Sequence, residues 1–287
     1  MLTTRPVVLD HEPAALDVLW HALDPDTGGP TVRIRAVMIA SVDGTTTVDG
    51  RSGALGTPTD RLVYDAMRAR ADVILVGSGT ALDESYGPAH IAEAWTSRRH
   101  RPAPPVVILT RSLPDRLIAH CVQVGAGVHI AAAATTPPDR IETAREAGVT
   151  VHVMDDGPYA AALRELLAGL GAGEVAFEGG PHLLGRFLDA GLVDELVLSV
   201  APEIIVGGAS PGLVSGPTER RVPMRVAAAF SCPLGGLYTR WVVDPAPPAE
   251  PTLPTPPVEP TLPTPPAEPT EQAAVSEPPV ATDEASA

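Results

Sequence analysis

Residues 72–80 read DVILVGSGT, a short apolar run that ends in a glycine-rich turn. An aliphatic run of this length, from Asp72 to Val76 and closed by Gly77, predicts a strand. Just upstream, Thr57-Pro58-Thr59-Asp60 places a capping hydroxyl, a proline and an acid where the first turn of a helix prefers them. This predicts a helix that ends at about Arg70. A helix that leads directly into an apolar strand is typical of an α/β protein.

The same alternation continues on both sides of this stretch. Strands are predicted at Arg33–Ala40, Pro105–Thr110, Val128–Ala132, Val149–Val153, Glu174–Phe177 and Asp194–Ala201, and helices at Glu12–Leu23, Pro138–Ala147, Pro158–Leu170 and Pro181–Ala190. Two final apolar runs, Met224–Phe230 and Gly236–Val243, predict a closing β-hairpin. Strand–helix–strand alternation implies right-handed crossovers, and therefore an α/β fold with a mostly parallel central sheet and helices on both faces.

The C-terminal stretch differs in composition from the rest. From Asp244 onward the chain holds 8 of its 35 acidic residues and 14 of its 33 prolines, and neither Gly nor Arg. It contains a nine-residue repeat, EPTLPTPPV at 250–258 and EPTLPTPPA at 259–267, which favours a solvated, extended polyproline-II segment. We therefore expect an N-terminal extension with a short helix at 1–32, a folded domain at 33–243 and a disordered tail at 244–287. The tail is either a docking site for an unknown partner or a solubilising segment, and its lack of aromatic and basic residues favours the latter.

The composition excludes several kinds of function. All 20 basic residues are Arg, since the sequence has neither Lys nor Asn, so a Schiff-base lysine and a P-loop lysine are excluded. The net charge of -15 and the lack of a basic cluster argue against a nucleic-acid partner. The 8 His and 2 Cys follow no ligand spacing, so no metal site is expected. No apolar run reaches the roughly 18 residues of a membrane span, and residues 1–6 lack the apolar core of a signal peptide. No membrane association is expected, and the expected location is the cytoplasm.

In parallel sheets, ligands bind beyond the carboxyl ends of the strands, so the residues after each predicted strand are the candidates. Gly77-Ser78-Gly79-Thr80 follows the strand at 72–76 and is either an anion-binding loop or a tight turn at the strand exit. Glu178-Gly179-Gly180-Pro181 follows the strand at 174–177 and opens a helix. Two glycines, a proline and a helix N-terminus in succession favour an anion site, such as one for a diphosphate.

Two further strand ends carry polar residues. Thr110-Arg111-Ser112 is either an exposed polar turn or a site for a phosphate monoester, such as the 2′-phosphate that distinguishes NADPH from NADH. Asp43 follows the strand at 33–40 and either forms a turn with Gly44 or accepts hydrogen bonds from a substrate. Spacing alone leaves both alternatives open at both places.

Five motifs occur in an order that carries a resemblance: Ser41–Gly44, Met67–Asp72, Val73–Thr80, Glu178–Pro181 and Asp194–Pro202. With them, the chain resembles the reductase domain of bacterial bifunctional riboflavin biosynthesis proteins, which are relatives of dihydrofolate reductase. It is most similar to the stand-alone actinobacterial members, through Ala40–Gly44, Thr47–Gly50 and Ser52–Ala54. The resemblance covers about Arg33–Val243.

The resemblance implies a dihydrofolate-reductase-like fold, a homodimer and a heterocyclic small-molecule substrate. The implied reaction is the NADPH-dependent reduction of 5-amino-6-(5-phosphoribosylamino)uracil to its ribitylamino form. The cofactor phosphates would bind at Gly77, Gly79, Thr80, Gly179 and Gly180, and the 2′-phosphate at Thr110, Arg111 and Ser112. The polar atoms of the substrate would face Asp43, Glu84 and Glu178, and its phosphate would bind Arg68. Asp43 or Glu178 would supply the catalytic proton, directly or through a water.

The chain departs from the family pattern at two places that would contact the substrate. Thr45 stands where the family has a Lys after its Ser-x-Asp-Gly motif, and Glu84-Ser85-Tyr86-Gly87-Pro88 replaces a stretch that carries an Arg. The arginines that would compensate are Arg98, Arg99 or Arg101. These departures leave a second hypothesis, a NADPH-dependent reductase of a dihydropterin, dihydrofolate or another heterocycle. A third hypothesis is a non-catalytic nucleotide-binding protein with a docking tail.

Overall fold

The computed structural model describes residues 7–9, 13–24, 29–207, 212–216 and 219–244. The predicted disordered tail, apart from Asp244, lies outside the described residues. None of the helices in the described ranges combines the length and the apolar character that crossing a membrane would require.

Within these ranges the chain forms ten strands, eight helices and one 3-10 turn. The strands are β1 (Val7–Val8), β2 (Arg33–Ser41), β3 (Val73–Gly77), β4 (Val106–Thr110), β5 (Val128–Ala132), β6 (Thr150–Val153), β7 (Glu174–Phe177), β8 (Glu195–Ala201), β9 (Met224–Ser231) and β10 (Leu237–Val243). The helices are α1 (Pro13–Ala22), α2 (Pro58–Arg70), α3 (Ser78–Asp83), α4 (Glu93–Thr96), α5 (Asp115–Val124), α6 (Pro138–Glu146), α7 (Tyr159–Gly169) and α8 (Pro181–Asp189), and the 3-10 turn is Ser52–Leu55.

The strands form one sheet in the order β1-β9-β10-β8-β2-β7-β3-β4-β5-β6. From β8 to β6 every neighbouring pair is parallel, whereas β10 is antiparallel to both β8 and β9. The predicted α/β fold class is confirmed, with its mostly parallel sheet, flanking helices and closing C-terminal hairpin.

Helices cover the sheet because successive strand residues point to opposite faces. On one face, Leu75 belongs to the same buried cluster as Leu163 of α7 and Leu184 of α8. On the other face, Ile74 shares a cluster with residues of α5 and α6, Leu117 among them. Each of these side chains is fully buried, and burial of one such side chain contributes about 1.5–3 kcal/mol.

The sequence patterns locate most of these elements correctly. Every predicted strand and helix is present, with ends that differ by no more than one residue. Thr57 caps α2 as expected, because its Oγ1 accepts a hydrogen bond from the N–H of Asp60 at 3.0 Å. The tight-turn alternative for the residues after Gly77 is wrong, since Ser78 begins helix α3. Helix α5 has no counterpart among the predictions, although its buried Leu117, Ile118 and Cys121 lie at helical spacing.

A buried ion network joins α1 to the amino ends of the parallel strands, a side of the sheet that we call the amino edge. Glu195 on β8 accepts hydrogen bonds from Nε of Arg35 and Nε of Arg240, both at 2.9 Å. Other N–H groups of these arginines donate to the backbone carbonyls of Leu23 at 2.8 Å and Ala22 at 3.0 Å. The C-terminal end of α1 is therefore fixed to β2 and β10.

Candidate active site

Four parallel strands lie side by side in the order β2-β7-β3-β4. Their carboxyl ends meet on one side of the sheet, which we call the carboxyl edge, and neighbouring strands lie about 4.8 Å apart. The segments selected from the sequence, at 43, 178–181, 77–80 and 110–112, follow these four strands. The fold therefore brings all of them to one edge, in the spatial order Asp43, Glu178, Thr80 and Arg111.

The loop after β7 has no room for side chains. A Cβ on Gly179 would lie 2.3 Å from the ring of Phe177, and a Cβ on Gly180 would lie 3.0 Å from Oγ1 of Thr80. The second distance shows that the loop after β7 touches the first turn of α3, which follows β3. Among the described residues, the N–H groups of Gly179 and Gly180 have no protein acceptor. Helix α8 begins directly after them, so its N-terminus adds further amides to the same place.

The junction of β3 with the first turn of α3 is close to α8 on one side and open on the other. A Cβ on Gly77 would lie 3.0 Å from Cδ2 of Leu183, which is on α8. A Cβ on Gly79 would meet nothing within 4 Å. The backbone of Gly79 therefore borders free space, next to the contact between Thr80 and Gly180.

In the segment after β4, Thr110 is buried and Arg111 is exposed. Thr110 is buried, and its Oγ1 lies 3.4 Å from the N–H of Leu113 and 3.5 Å from that of Ser112. Arg111 is exposed, and within the described ranges its guanidinium donates no hydrogen bond and forms no ion pair. Arg111 is thus available to an anionic ligand.

Two residues near Arg111 are missing from the sequence-based candidates. Tyr159, at the start of α7, is 41% exposed and packs edge-on against Phe187 with 6.4 Å between ring centroids. Burial raises the pKa of Tyr159, while the charges of Arg186 and Arg111 act to lower it, so both guanidinium groups lie near the phenol. Arg186 precedes Phe187 on α8, but no local pattern marks an exposed helix arginine as part of a site.

Glu178 is buried at the end of β7 and is surrounded by hydrogen-bond donors. Arg68 donates from Nε to Oε1 at 2.8 Å and from Nη2 to Oε2 at 2.7 Å. Oε2 also accepts hydrogen bonds from the hydroxyl groups of Tyr64 at 2.8 Å and Tyr86 at 2.9 Å. Both carboxylate oxygens of Glu178 are therefore occupied by protein groups.

The charge of Glu178 raises the pKa values of the groups that bind it. Burial, followed by the charge of Glu178, raises the pKa of both Tyr64 and Tyr86 well above the usual range. Burial lowers the pKa of Arg68, but the hydrogen bonds and charge of Glu178 raise it by more, so the guanidinium stays charged. Arg68 also lies over the rings of Tyr64 at 4.4 Å and Tyr86 at 5.6 Å. The sequence patterns indicate Arg68 and Glu178 as separate contacts and give no site role to Tyr64 or Tyr86.

Asp43 is exposed beyond β2, and its carboxylate organises the surrounding loops. Oδ1 accepts hydrogen bonds from the hydroxyl of Ser41 at 2.7 Å and from the N–H of Ile205 at 3.0 Å, and Oδ2 accepts from the hydroxyl of Thr45 at 2.6 Å. The hydrogen bonds from Thr45, Ile205 and Ser41 hold the pKa of Asp43 well below its usual range. Asp43 is therefore an ionised acceptor, and Gly44 beside it has the positive φ of a turn.

Glu84 fixes the loop that follows β2. Its Oε1 accepts hydrogen bonds from the N–H of Ser52 at 2.9 Å and from Oγ of Ser52 at 3.0 Å. Glu84 is the residue after α3, so this contact places the start of the 3-10 turn beside the C-terminal end of α3. The position of Ser52 depends on a contact across 32 residues, which no local pattern in the sequence indicates.

The three arginines considered as substitutes for the missing family contacts are used elsewhere in the structure. Arg98 pairs with Asp17 of α1, and Arg101 pairs with Asp72 and with the carbonyl of Arg70. Arg99 donates to the carbonyls of Ala69 and Ala71, at 2.8 and 2.7 Å, and to that of Pro102. Their acceptors at 69–72 precede β3, so these contacts lie at the amino edge.

Comparisons with known proteins agree with this architecture. A profile of the RibD C-terminal domain matches residues 32–235. The 2,5-diamino-6-ribosylamino-4(3H)-pyrimidinone 5′-phosphate reductase of Archaeoglobus fulgidus is 25% identical over 182 residues, which are 62% of this chain and 83% of that protein. The riboflavin biosynthesis protein RibD of Bacillus amyloliquefaciens is 31% identical over 194 residues, which are 66% of this chain and 50% of that protein, so the chain spans half of its length.

Solved structures show the same fold. A pyrimidine reductase-like protein from Corynebacterium diphtheriae superposes with a TM-score of 0.66 at 25% identity, over 80% of this chain and 99% of that chain. The RibD of Acinetobacter baumannii superposes with a TM-score of 0.61 at 19% identity, over 75% of this chain and 58% of that chain, and shows the fold alone. Because the family profile covers well over half of its residues, the chain belongs to the RibD C-terminal domain family.

Proposed function

We propose that the chain is a NADPH-dependent reductase of the riboflavin pathway, which reduces 5-amino-6-(5-phosphoribosylamino)uracil to the ribitylamino form. The observation that carries this proposal is the convergence of the loops after β2, β7, β3 and β4 at one edge of the sheet. The relative from Archaeoglobus fulgidus is named as the reductase of a ribosylaminopyrimidinone 5′-phosphate, which is chemically close to the proposed substrate.

The residues at the carboxyl edge fit a dinucleotide. The diphosphate would bind where the loop after β7 touches the first turn of α3, because the N–H groups of Gly179 and Gly180 have no acceptor among the described residues and Gly79 leaves open space. Gly77 and Thr80 complete this cradle. When bound there, NADPH supplies the hydride.

The adenosine end of the cofactor fits the segment after β4. Arg111, flanked by Thr110 and Ser112, would bind the 2′-phosphate through its unpaired guanidinium. Arg186 adds a second positive charge near the same place, and the exposed ring of Tyr159 offers a surface for adenine. This arrangement favours NADPH over NADH, because NADH lacks the phosphate.

The substrate would lie beside Asp43, which follows β2, and Glu84, which follows α3 and contacts the connection after β2. Hydride transfer is mainly a problem of positioning, and Asp43 would hold the heterocycle by accepting hydrogen bonds from its N–H or O–H groups. Since Asp43 is ionised, the proton that completes the reduction would pass through a water bound to it. Glu178 would act on the substrate indirectly, by positioning Tyr86 and Arg68, because these two groups already donate hydrogen bonds to its carboxylate oxygens.

A second candidate, reduction of a dihydropterin or dihydrofolate, is favoured by the contacts of Thr45 and Arg68. Thr45 stands at the position of the family's lysine and donates its hydroxyl to Asp43, while Arg68 is bound to Glu178. Neither is then free for a substrate phosphate, and an unphosphorylated heterocycle would need no such contact.

Oxidation of NADPH with each substrate tests the proposal. The purified full chain should oxidise NADPH with the ribosylaminouracil phosphate much faster than with dihydrofolate or with no acceptor, and mass spectrometry should detect the ribitylamino product. Faster turnover of dihydrofolate would establish the second candidate. Nucleotide binding without turnover of either substrate would contradict both.

Three further expectations stay predictions. The resemblance implies a homodimer, which analytical ultracentrifugation would measure. The sequence also predicts the domain limits, with an extension at 1–32, a folded domain at 33–243 and a disordered tail at 244–287. It predicts a cytoplasmic location as well.

A further inference from the structure

The proposed substrate carries a phosphate, and the chain has no lysine to bind it. The phosphate group must then be met by an arginine, a histidine or backbone amides. Which arginine is free to do this can be determined from the side-chain contacts, and the inference drawn from them rests on the proposed function.

Most arginines are already bound to protein groups. Arg68, which the resemblance assigns to the phosphate, donates two hydrogen bonds to Glu178 and would have to release that buried carboxylate to reach another anion. Arg98, Arg99 and Arg101 contact acceptors at the amino edge or on α1. None of these four is available at the carboxyl edge.

Five arginines of the described ranges have a guanidinium group that donates no hydrogen bond and forms no ion pair: Arg51, Arg111, Arg116, Arg186 and Arg221. Arg111 and Arg116 follow β4, and Arg186 lies on α8 near Arg111. Arg221 borders a cavity with Asp194 at the amino edge. Arg51 is the one of the five that belongs to the long connection after β2, the connection that also contains Asp43.

The backbone around Arg51 is held rigidly. Val48 and Arg51 exchange two N–H···O=C hydrogen bonds of 3.0 Å across the turn Asp49-Gly50, whose two residues both have positive φ, at 51° and 77°. The next residue, Ser52, is fixed to Glu84 through its N–H and its hydroxyl. The exposed Arg51 therefore extends from a fixed backbone position, next to the contact between Ser52 and Glu84.

We propose that Arg51 binds the phosphate of the substrate. Arg51 lies in the connection after β2, next to Ser52 and its contact with Glu84, whereas Arg111 follows β4. Each of the two phosphorylated ligands then has its own unneutralised guanidinium, Arg111 for the cofactor and Arg51 for the substrate. Arg51 therefore takes the place of the lysine and the arginine that this chain lacks.

Calorimetry with ribose 5-phosphate, in the presence of saturating NADPH, tests this assignment without depending on turnover. The full chain should bind ribose 5-phosphate and show no heat with ribose. Arg51→Ala should weaken the binding of ribose 5-phosphate about 10- to 100-fold, which is typical of a charge-assisted contact, and Arg51→Lys should restore part of it. Arg221→Ala, which removes an unpaired exposed arginine at the amino edge, is the matched control and should change nothing.

The outcomes separate this inference from the proposed function. Unchanged affinity of Arg51→Ala for ribose 5-phosphate, or equal affinity of the unaltered chain for ribose and ribose 5-phosphate, would overturn the role of Arg51 even if the enzyme is active. If ribose 5-phosphate binds through Arg51 while the ribosylaminouracil phosphate is not reduced, the phosphate site stands and the proposed reaction fails.

Discussion

Arg68 and Glu178 are 110 residues apart in sequence and form a two-point ion pair, with hydrogen bonds of 2.8 and 2.7 Å. The two side chains are 14% and 2% exposed, so the pair is largely removed from water. It joins α2 to the end of β7, where the glycine-rich loop begins. The geometry of the candidate diphosphate site and the stability of the fold therefore depend on one interaction.

Replacing Arg68 with Met should lower the free energy of unfolding by about 3–5 kcal/mol, because Glu178 would remain buried without its charged partner. The double change Arg68→Met with Glu178→Gln should lose less than the single change, since it leaves no unpaired charge. Urea unfolding followed by circular dichroism measures both. A single variant that is as stable as the double variant would show that the pair is not buried in solution.

Arg111→Ala should weaken the binding of NADPH roughly 10- to 100-fold, the effect of losing a charge-assisted contact to phosphate, and should leave the affinity for NADH almost unchanged. Arg186→Ala should act in the same direction with a smaller effect, since Arg186 lies on the neighbouring helix. Fluorescence titration with both nucleotides measures the ratio. An equal loss for NADPH and NADH would refute the assignment of Arg111 to the 2′-phosphate.

Gly79→Ala should separate stability from cofactor binding. The added methyl group meets no protein atom within 4 Å, so the change in helix α3 should raise the free energy of unfolding, by about 0.5–1 kcal/mol. It should also weaken the binding of NADPH on the order of tenfold, a loss of about 1.4 kcal/mol, because the methyl group would fill the space that the diphosphate occupies.

The matched control for Gly79→Ala is Gly169→Ala, at the end of α7, where an added methyl group also meets nothing within 4 Å. It should stabilise the fold and leave the affinity for NADPH as it is. If both variants bind NADPH as well as the unaltered chain does, the diphosphate does not lie against Gly79.

Asp43→Asn should reduce kcat about 100-fold or more, which is the usual contribution of a group that directs proton transfer. Asn preserves the size of the side chain and one acceptor oxygen, so the loop at Ile205 should keep its position and the affinity for NADPH should hold. Steady-state kinetics beside NADPH titration measures both. An unchanged kcat with a weakened affinity for NADPH would place Asp43 with the cofactor and not with the substrate.

His129 on β5 and His152 on β6 form a hydrogen-bonded pair with 3.2 Å between Nδ1 and Nε2. Burial and the neighbouring charge lower the pKa of His129, and burial and Arg145 lower that of His152. Below about pH 6.5, the ordinary pKa of histidine, the unfolded chain therefore binds more protons than the folded chain. Stability should be full at neutral pH and should fall as the pH drops from 6.5 toward the lowered pKa values.

The melting temperature between pH 7.5 and pH 5 measures this effect of the histidine pair. His152→Gln should flatten the decline, whereas His90→Gln, at an exposed histidine, should not. A decline of equal steepness in all three proteins would assign the acid sensitivity to other groups.

Periodic and local signals predict much of this molecule. The apolar run at 73–76, the capping Thr57 and the Gly-Gly-Pro at 179–181 each depend on residues adjacent in sequence, and the structure has the strand, the helix start and the loop there. The parallel order of the strands then brings the candidate segments to one edge.

Contacts between residues that are far apart in sequence are not predicted by these local signals. The sequence indicates Arg68 and Glu178 as two separate ligand contacts. No periodic pattern indicates that these residues, 110 positions apart, form an ion pair with each other. Tyr64 and Tyr86 are ordinary helix and loop residues until the fold places their hydroxyl groups on Glu178. Which polar groups face a ligand depends on such pairings, and single-sequence patterns do not contain them.

The ion network at the amino edge also determines how far this protein can be shortened. The family match, 32–235, begins after α1 and stops before β10, so a fragment cut at those limits would lack the carbonyls of Ala22 and Leu23 and the guanidinium of Arg240. It would also lose the strand that connects β9 to β8. The limits of the family match therefore exclude groups that hold α1 and the sheet together, and a stable fragment of this protein should include α1 and β10.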